Sequence, residues 1–208
     1  MKREELLKNA KPILFNTEMV KAILDDRKTV TRRVVKVEND SEYMDIINTF
    51  GSNENLNSAV FIYFKSWNLN TPSEGETVYR YTEVKLPYQE GDILYVRETF
   101  DEYTGGYCYK ADWQGVVGKW KPSIHMPKAA ARLFLKVTNV RVERLHEINK
   151  EDYVKEGITN NFIEHMYTSV MDWMILWDST IKEKDLDKYG WKANPYVWVI
   201  EFEKVKYE

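Results

Sequence analysis

Cysteine is nearly absent from this sequence: of 208 residues only Cys108 carries a thiol. A single thiol forms no internal disulfide and offers no CxxC zinc pair, which excludes a disulfide scaffold and a cysteine-built metal site. An excess of one charge sign is also missing. With 30 basic and 33 acidic residues the net charge is −3, which argues against broad coating of DNA but leaves a local basic patch open. No apolar run approaches the ~20 residues that a membrane-spanning helix needs. The opening "MKREELLKNAKPILF" lacks the apolar core and small-residue cleavage site of a secretory signal. The expectation is therefore a soluble, cytoplasmic protein with no membrane partner. No repeat or low-complexity tract interrupts the chain, and no histidine pair suggests acid–base cleavage of RNA.

What is present is apolar and aromatic. At 43% hydrophobic residues, with seven Trp and fourteen Tyr, the chain can build a substantial core, and some rings can offer flat surfaces to a ligand. The length favours a single domain over residues 1–208. "KPILF" (11–15) reads as a strand. "NTEMVKAILDDR" reads as a helix capped by Asn16 or Thr17, with Val20, Ile23 and Leu24 on its inner face. "KTVTRRVVKV" is β-branched and reads as a second strand. Residues 38–83, rich in Asn, Ser and Asp around a strand-like "VFIYFKSW", read as an insertion in the form of a hairpin or flap. "YQEGDILYVRETF" turns at Glu90-Gly91-Asp92 into a strand, with "YCYKADW" as its expected partner. A proline-bracketed loop (120–127) leads to a long strand from Arg132 to Leu145. "INKEDYVKEGI" is a compact helix that Asn149 caps and Gly157 ends. The apolar spacing over 162–177 gives an amphipathic helix, and "YVWVIEFEKV" is the last strand. Strands outnumber helices without regular alternation, so the predicted class is α+β: a mixed sheet or barrel with helices at its side.

The chemistry concentrates in "LDDRKTVTRRVV" (24–35). Strand alternation puts Thr29, Thr31 and Arg33 on one face and Val30, Arg32 and Val34 on the other. Taken alone, the stretch suits a solvated sheet edge, a grip on phosphate or part of a catalytic site. Elsewhere, Arg97 can recognise an anion or form a surface ion pair. His125, on the proline loop, is placed to overhang a pocket. Trp120 and Tyr109 can stack on a base or fill the core. Trp173, Met174 and Trp177 read as core, and Cys108 as a packed thiol. Glu151, Asp152 and Glu156, close together on one short helix, read as a solvated acidic face rather than a metal site. No cofactor is expected.

"ILDDRKTVTRR" (23–33), "GDILYVRETF" (91–100), "INKEDYVKEGI" (148–158) and "VWVIEF" (197–202) resemble, in this order, the ASCH domain of the PUA-like β-barrel superfamily. "PILFNTEMVKAIL", "KWKPSIHMPKAAARLFLKVTNVRVERL" and "WDS" are similar to a larger, phage-associated branch. The resemblance implies a PUA-like barrel with flanking helices and a cleft for RNA or a modified nucleoside or nucleotide. One small bacterial type in this family removes the acetyl group from N4-acetylcytidine with a lysine, a threonine and a glutamate. Its "G-x-K-T-x-T-x-R" stretch matches "D-R-K-T-V-T-R-R" here, which puts Lys28, Thr31 and Arg33 on the motif and makes Glu156 the matching glutamate. Asp26 replaces the motif's glycine, a substitution that Asp tolerates better than most residues in left-handed geometry. Lys28, Thr31 and Glu156 are thereby the expected catalytic set. Arg33, Arg97, Trp120 and His125 are the expected ligand-binding residues. Arg32 is expected to face away from Lys28, Thr31 and Arg33.

Overall fold

The computed structural model describes residues 2–36, 44–45, 59–66, 78–116, 118–158 and 166–207. The chain divides into two compact units, Met1–Val34 with Glu90–Glu208, and Val35–Gln89. In the first unit α1 (Arg3–Asn9), β1 (Lys11–Leu14), α2 (Thr17–Leu24) and β2 (Val30–Val34) come in succession. The second unit holds β3 (Met44–Asp45), β4 (Ala59–Ser66) and β5 (Val78–Lys85), an antiparallel sheet in the order β3-β4-β5. The remaining residues of the expected 38–83 insertion, and 162–165 at the start of the expected amphipathic helix, lie outside the described residues. The first unit resumes with β6 (Ile93–Arg97), β7 (Phe100–Tyr103), β8 (Gly106–Tyr109) and β9 (Phe134–Arg144). It ends with α3 (Lys150–Lys155), α4 (Met166–Thr180), α5 (Leu186–Tyr189) and β10 (Tyr196–Lys204).

The main sheet of this unit runs β1-β6-β9-β10-β2. Only β1 and β6 are parallel; every other neighbouring pair is antiparallel. The class is therefore α+β with a mixed sheet, and among the described residues the strand ladder does not close into a barrel. β8 does not pair with β6 as expected. It folds back on β7, from Phe100↔Tyr109 to Tyr103↔Gly106, while β6 lies between β1 and β9. The nearer partner needs less loop closure, and Gly106 supplies a positive φ of 138° at the turn.

Two apolar clusters hold the elements in place. Val30, Val197 and Val199 of the sheet pack with Leu145, Ile148, Tyr153, Trp173 and Trp177, covering one face with α3 and α4. Trp173 and Trp177 are buried as expected, and Trp177 Nε1 donates to the Tyr189 carbonyl at 2.8 Å. The second cluster joins Leu6 and Ala10 to Tyr95, Phe100, Met126, Ala130 and Phe134, fixing α1 and the loop after Pro127 against β6 and β9. Each ring buried in this way contributes on the order of a few kcal/mol. Cys108 is a buried free thiol.

β1 and β2 are the two ends of the strand order, yet they meet. Arg33 Nη2 on β2 donates to the Leu14 carbonyl on β1 at 2.8 Å. The Phe15 ring, just past β1, lies 5.3 Å from the Arg33 guanidinium and 5.7 Å from Lys28 Nζ. The sheet thus curls until its edges touch through a side chain rather than through a ladder. β1 also contains Pro12, which has no N–H to donate and suits an edge position.

α2 connects these edges. Asn16 Oδ1 accepts from Met19 N at 2.9 Å, as expected of the cap, and Met19, Val20, Ala22 and Ile23 are buried. The helix stops at Asp26, whose φ of 57° is left-handed, and the amides of Arg27 and Lys28 both donate to the Ala22 carbonyl. α3 is capped by Asn149 Oδ1 accepting from Asp152 N at 2.9 Å. Gly157 follows α3 with φ 89°, and a Cβ there would stand 2.6 Å from Ala22 Cβ and 3.1 Å from Lys28 Cβ. Gly157→Ala therefore meets both backbone strain and a clash. It should lower the unfolding free energy by about 2–4 kcal/mol, read as a lower urea midpoint at unchanged slope.

Candidate functional site

Lys28 stands one residue before Thr29, at the entrance to β2, and pairs with Glu156 through an isolated antiparallel bridge. The bridge is reinforced when Thr29 N donates to the Lys155 carbonyl at 2.8 Å and Phe202 N to the Thr29 carbonyl at 2.9 Å. This backbone stitch brings the end of α3 against the start of β2, across 128 residues of sequence. The Lys28 ammonium then has three acceptors: Glu156 Oε2 at 2.6 Å, the Val30 carbonyl at 2.7 Å and the Glu156 carbonyl at 2.9 Å. The side chains are 0% and 1% exposed. Burial pushes Lys28 below the ordinary lysine value; the charge and hydrogen bond of Glu156 pull the other way, and Arg33 and Arg32 add to the lowering.

The other carboxylate oxygen belongs to Arg32. Its Nη1 reaches Glu156 Oε1 at 3.2 Å, and its Nη2 reaches Asp152 Oδ2 at 2.6 Å and Glu143 Oε2 at 3.2 Å. Arg141 extends the network through ion pairs with Glu143 and Glu201 and, at 3.7 Å, with Asp152. The register explains the gathering: Arg32 faces Val199, which faces Arg141, and Val197 faces Glu143, so these side chains share the sheet face under α3.

Two expectations are corrected here. Arg32 does not face away from Lys28; the two cations share one carboxylate. Lys28, Val30 and Arg32 have the same strand parity, a signal the sequence already carried. Asp152 and Glu156 do not form a solvated acidic face, because Arg32 and Lys28 come down on them; they are 4% and 2% exposed, while Glu151 stays exposed. Alternation does hold for Thr31, which is opposite Ile200 on the other face of β2. Thr31 is 1% exposed, and among the described residues its Oγ1 has no hydrogen-bond partner.

The remaining expected residues lie further round the sheet. Arg97 is the register partner of Leu14, whose carbonyl Arg33 engages, and its Nη2 donates to the Ile124 carbonyl. That bond ties Arg97 to the loop bearing His125, which is exposed in a short 3₁₀ turn over Ser123–His125. Trp120 is half-buried beside Lys121, whose amide donates to the Phe100 carbonyl at 2.7 Å. Tyr109 is half-buried, its hydroxyl donating to the Ala130 carbonyl at 2.6 Å, and Arg132 lies 3.9 Å over its ring. The strong ion pair near Arg97 belongs to its neighbour: buried Glu98 accepts two bonds from Arg132, both 2.9 Å. Burial pushes the Glu98 carboxyl up from its ordinary value, against the pull of Arg132. Among the described residues no group of His, Cys, Asp and Glu is placed to hold a metal, and no helix is long and apolar enough to cross a membrane.

No family model matches the chain, and neither the curated proteins nor the solved structures return a match.

Removing one member of a buried pair strands the other charge. Lys28→Met or Glu156→Leu alone should cost about 3–5 kcal/mol, and the double variant markedly less than the sum, in a denaturant-based double-mutant cycle. Because Lys28 is lowered in the fold, the unfolded chain binds more protons between that lowered value and 10.5. The stability difference between the native chain and Lys28→Met should therefore move in the native chain's favour as pH rises through that window.

Proposed function

We propose that this chain is an ASCH-type protein of the PUA-like barrel class, and that it binds RNA or a modified nucleoside or nucleotide in a cleft at the β1–β2 seam. The observation that carries this reading is the convergence at the seam: Arg33 and Lys28 lie over Phe15, where the two sheet edges meet. A curled mixed sheet with joined edges supports a barrel-like frame. A guanidinium supplies paired, charge-assisted donors to phosphate or to a base edge, and the buried Phe15 ring gives it an apolar face to rest on. Arg97, at the end of β6 and anchored to the loop of His125, extends the basic rim past β1.

A second reading has its own support. The buried Lys28–Glu156 contact at 2.6 Å supplies two of the three groups an amidohydrolase of an N4-acylated cytidine would use, and Thr31, the third, carries a buried hydroxyl that is not bonded to Lys28. Thr31 Oγ1 would attack the acyl carbon while its proton passes to neutral Lys28. Collapse of the intermediate breaks the C–N bond, and the proton leaves with the amine. Water then frees the acyl group as a carboxylic acid and restores Thr31. Burial and the neighbouring arginines favour a neutral Lys28, and Glu156 opposes them.

Isothermal titration with cytidine monophosphate, N4-acetylcytidine and a short single-stranded RNA separates the readings. Arg33→Ala should weaken binding about tenfold or more, and RNA affinity should fall as salt rises. Unchanged affinity for all three ligands would exclude the seam. Turnover of N4-acetylcytidine that disappears in Lys28→Ala and Thr31→Ala would establish the second reading; a folded native chain without turnover would remove it.

A further inference from the structure

Arg32 divides the Glu156 carboxylate with Lys28, one oxygen each. We propose that Arg32 is a positioning residue for Lys28: by holding Glu156 Oε1 it prevents that carboxylate from acting as a full counter-ion to the amine, and so leaves Lys28 able to release and regain a proton. The inference rests on the acyl-transfer reading of the site.

The geometry supports a division that Arg32 controls. Glu156 comes from the end of α3, Arg32 and Arg33 from β2, and the uncharged Phe15 ring from the β1–α2 connection. The other acceptors of Lys28 are backbone carbonyls, which carry no net charge. Gly157 lies against its stem, where a Cβ would stand 3.1 Å from Lys28 Cβ and 3.6 Å from its Cδ, so the amine has little room to leave Glu156. Arg32 itself is 0% exposed and pinned from behind by Asp152 on α3 and Glu143 on β9. Those acids, with Glu201, also engage Arg141, and Lys155 stands 3.9 Å from Asp152, so four carboxylates face four cations in the connected network. Without Arg32, Lys28 would face an undivided Glu156, with Asp152 left only to the longer pairs with Arg141 and Lys155, and would hold its proton more tightly. If the Asp152 charge were removed instead, Arg32 would be freer to close on Glu156, and Lys28 would hold its proton less tightly.

The opposite signs give the test. Lysine NMR of the full chain follows the Lys28 amine against pH in the native protein and in Arg32→Gln, Arg32→Lys and Asp152→Asn. Arg32→Gln should raise the Lys28 titration midpoint by about one unit or more, as expected for loss of a neighbouring buried cation. Arg32→Lys should restore part of that shift, and Asp152→Asn should lower the midpoint. An unmoved Lys28 in folded Arg32→Gln overturns the inference. If Arg32→Gln does not fold, Asp152→Asn decides: a lower midpoint supports the inference, and an unchanged or higher one overturns it. Turnover of N4-acetylcytidine is measured in parallel, and its rate should follow the neutral fraction of Lys28 across the variants. Midpoints that move as expected in a chain with no turnover would keep the role of Arg32 and discard the hydrolase reading.

Discussion

The contact between Lys28 and Glu156 is a constraint on everything around it. Two full charges taken out of water are tolerated only when each is paired and each remaining proton or lone pair finds a partner. Lys28 meets that demand with three acceptors and Glu156 with two cations. The demand spreads outward. α3 must end where Glu156 reaches back, so Gly157 must turn left-handed, and α2 must carry a small residue at Ala22. Arg32 must be compensated in turn, which draws Asp152 and Glu143 under the sheet. Helix ends, strand entry and sheet face are thus tied to one electrostatic requirement.

Much of this frame was legible because local chemistry and tertiary need agree. The Asn16 and Asn149 caps, the stop at Gly157, and the left-handed Asp26 are short-range devices, and each appears where its side chain predicts. The β-branched strand from 30 to 34 and its alternation follow from the two-residue period. The ASCH-like motifs paired Lys28 with Glu156 across most of the chain, a juxtaposition that no periodicity supplies.

What was not legible depends on charge meeting charge at long range. A carboxylate on a short helix looks solvated until the strand that buries it is known, and Asp152 is such a case. Alternation separates Arg32 from Thr31 and Arg33 and the turn at Asp26 leaves the aim of Lys28 open, whereas the backbone bridge at Lys28 makes the lysine share Arg32's parity. The β8 partner was misjudged because a four-residue hairpin competes locally with a more distant strand. α1, a helix that rests on apolar contacts with the loop after Pro127, carries too few periodic residues to announce itself.

The seam between β1 and β2 has a consequence for how copies of this protein behave together. A sheet that stops short of closing leaves two rows of backbone groups, which in many proteins recruit a strand from a neighbour. Here a guanidinium already occupies the Leu14 carbonyl, and Pro12 removes a donor from the same strand. A passing strand finds a broken template. The molecule can keep its sheet open at this seam without that opening becoming a seed for aggregation.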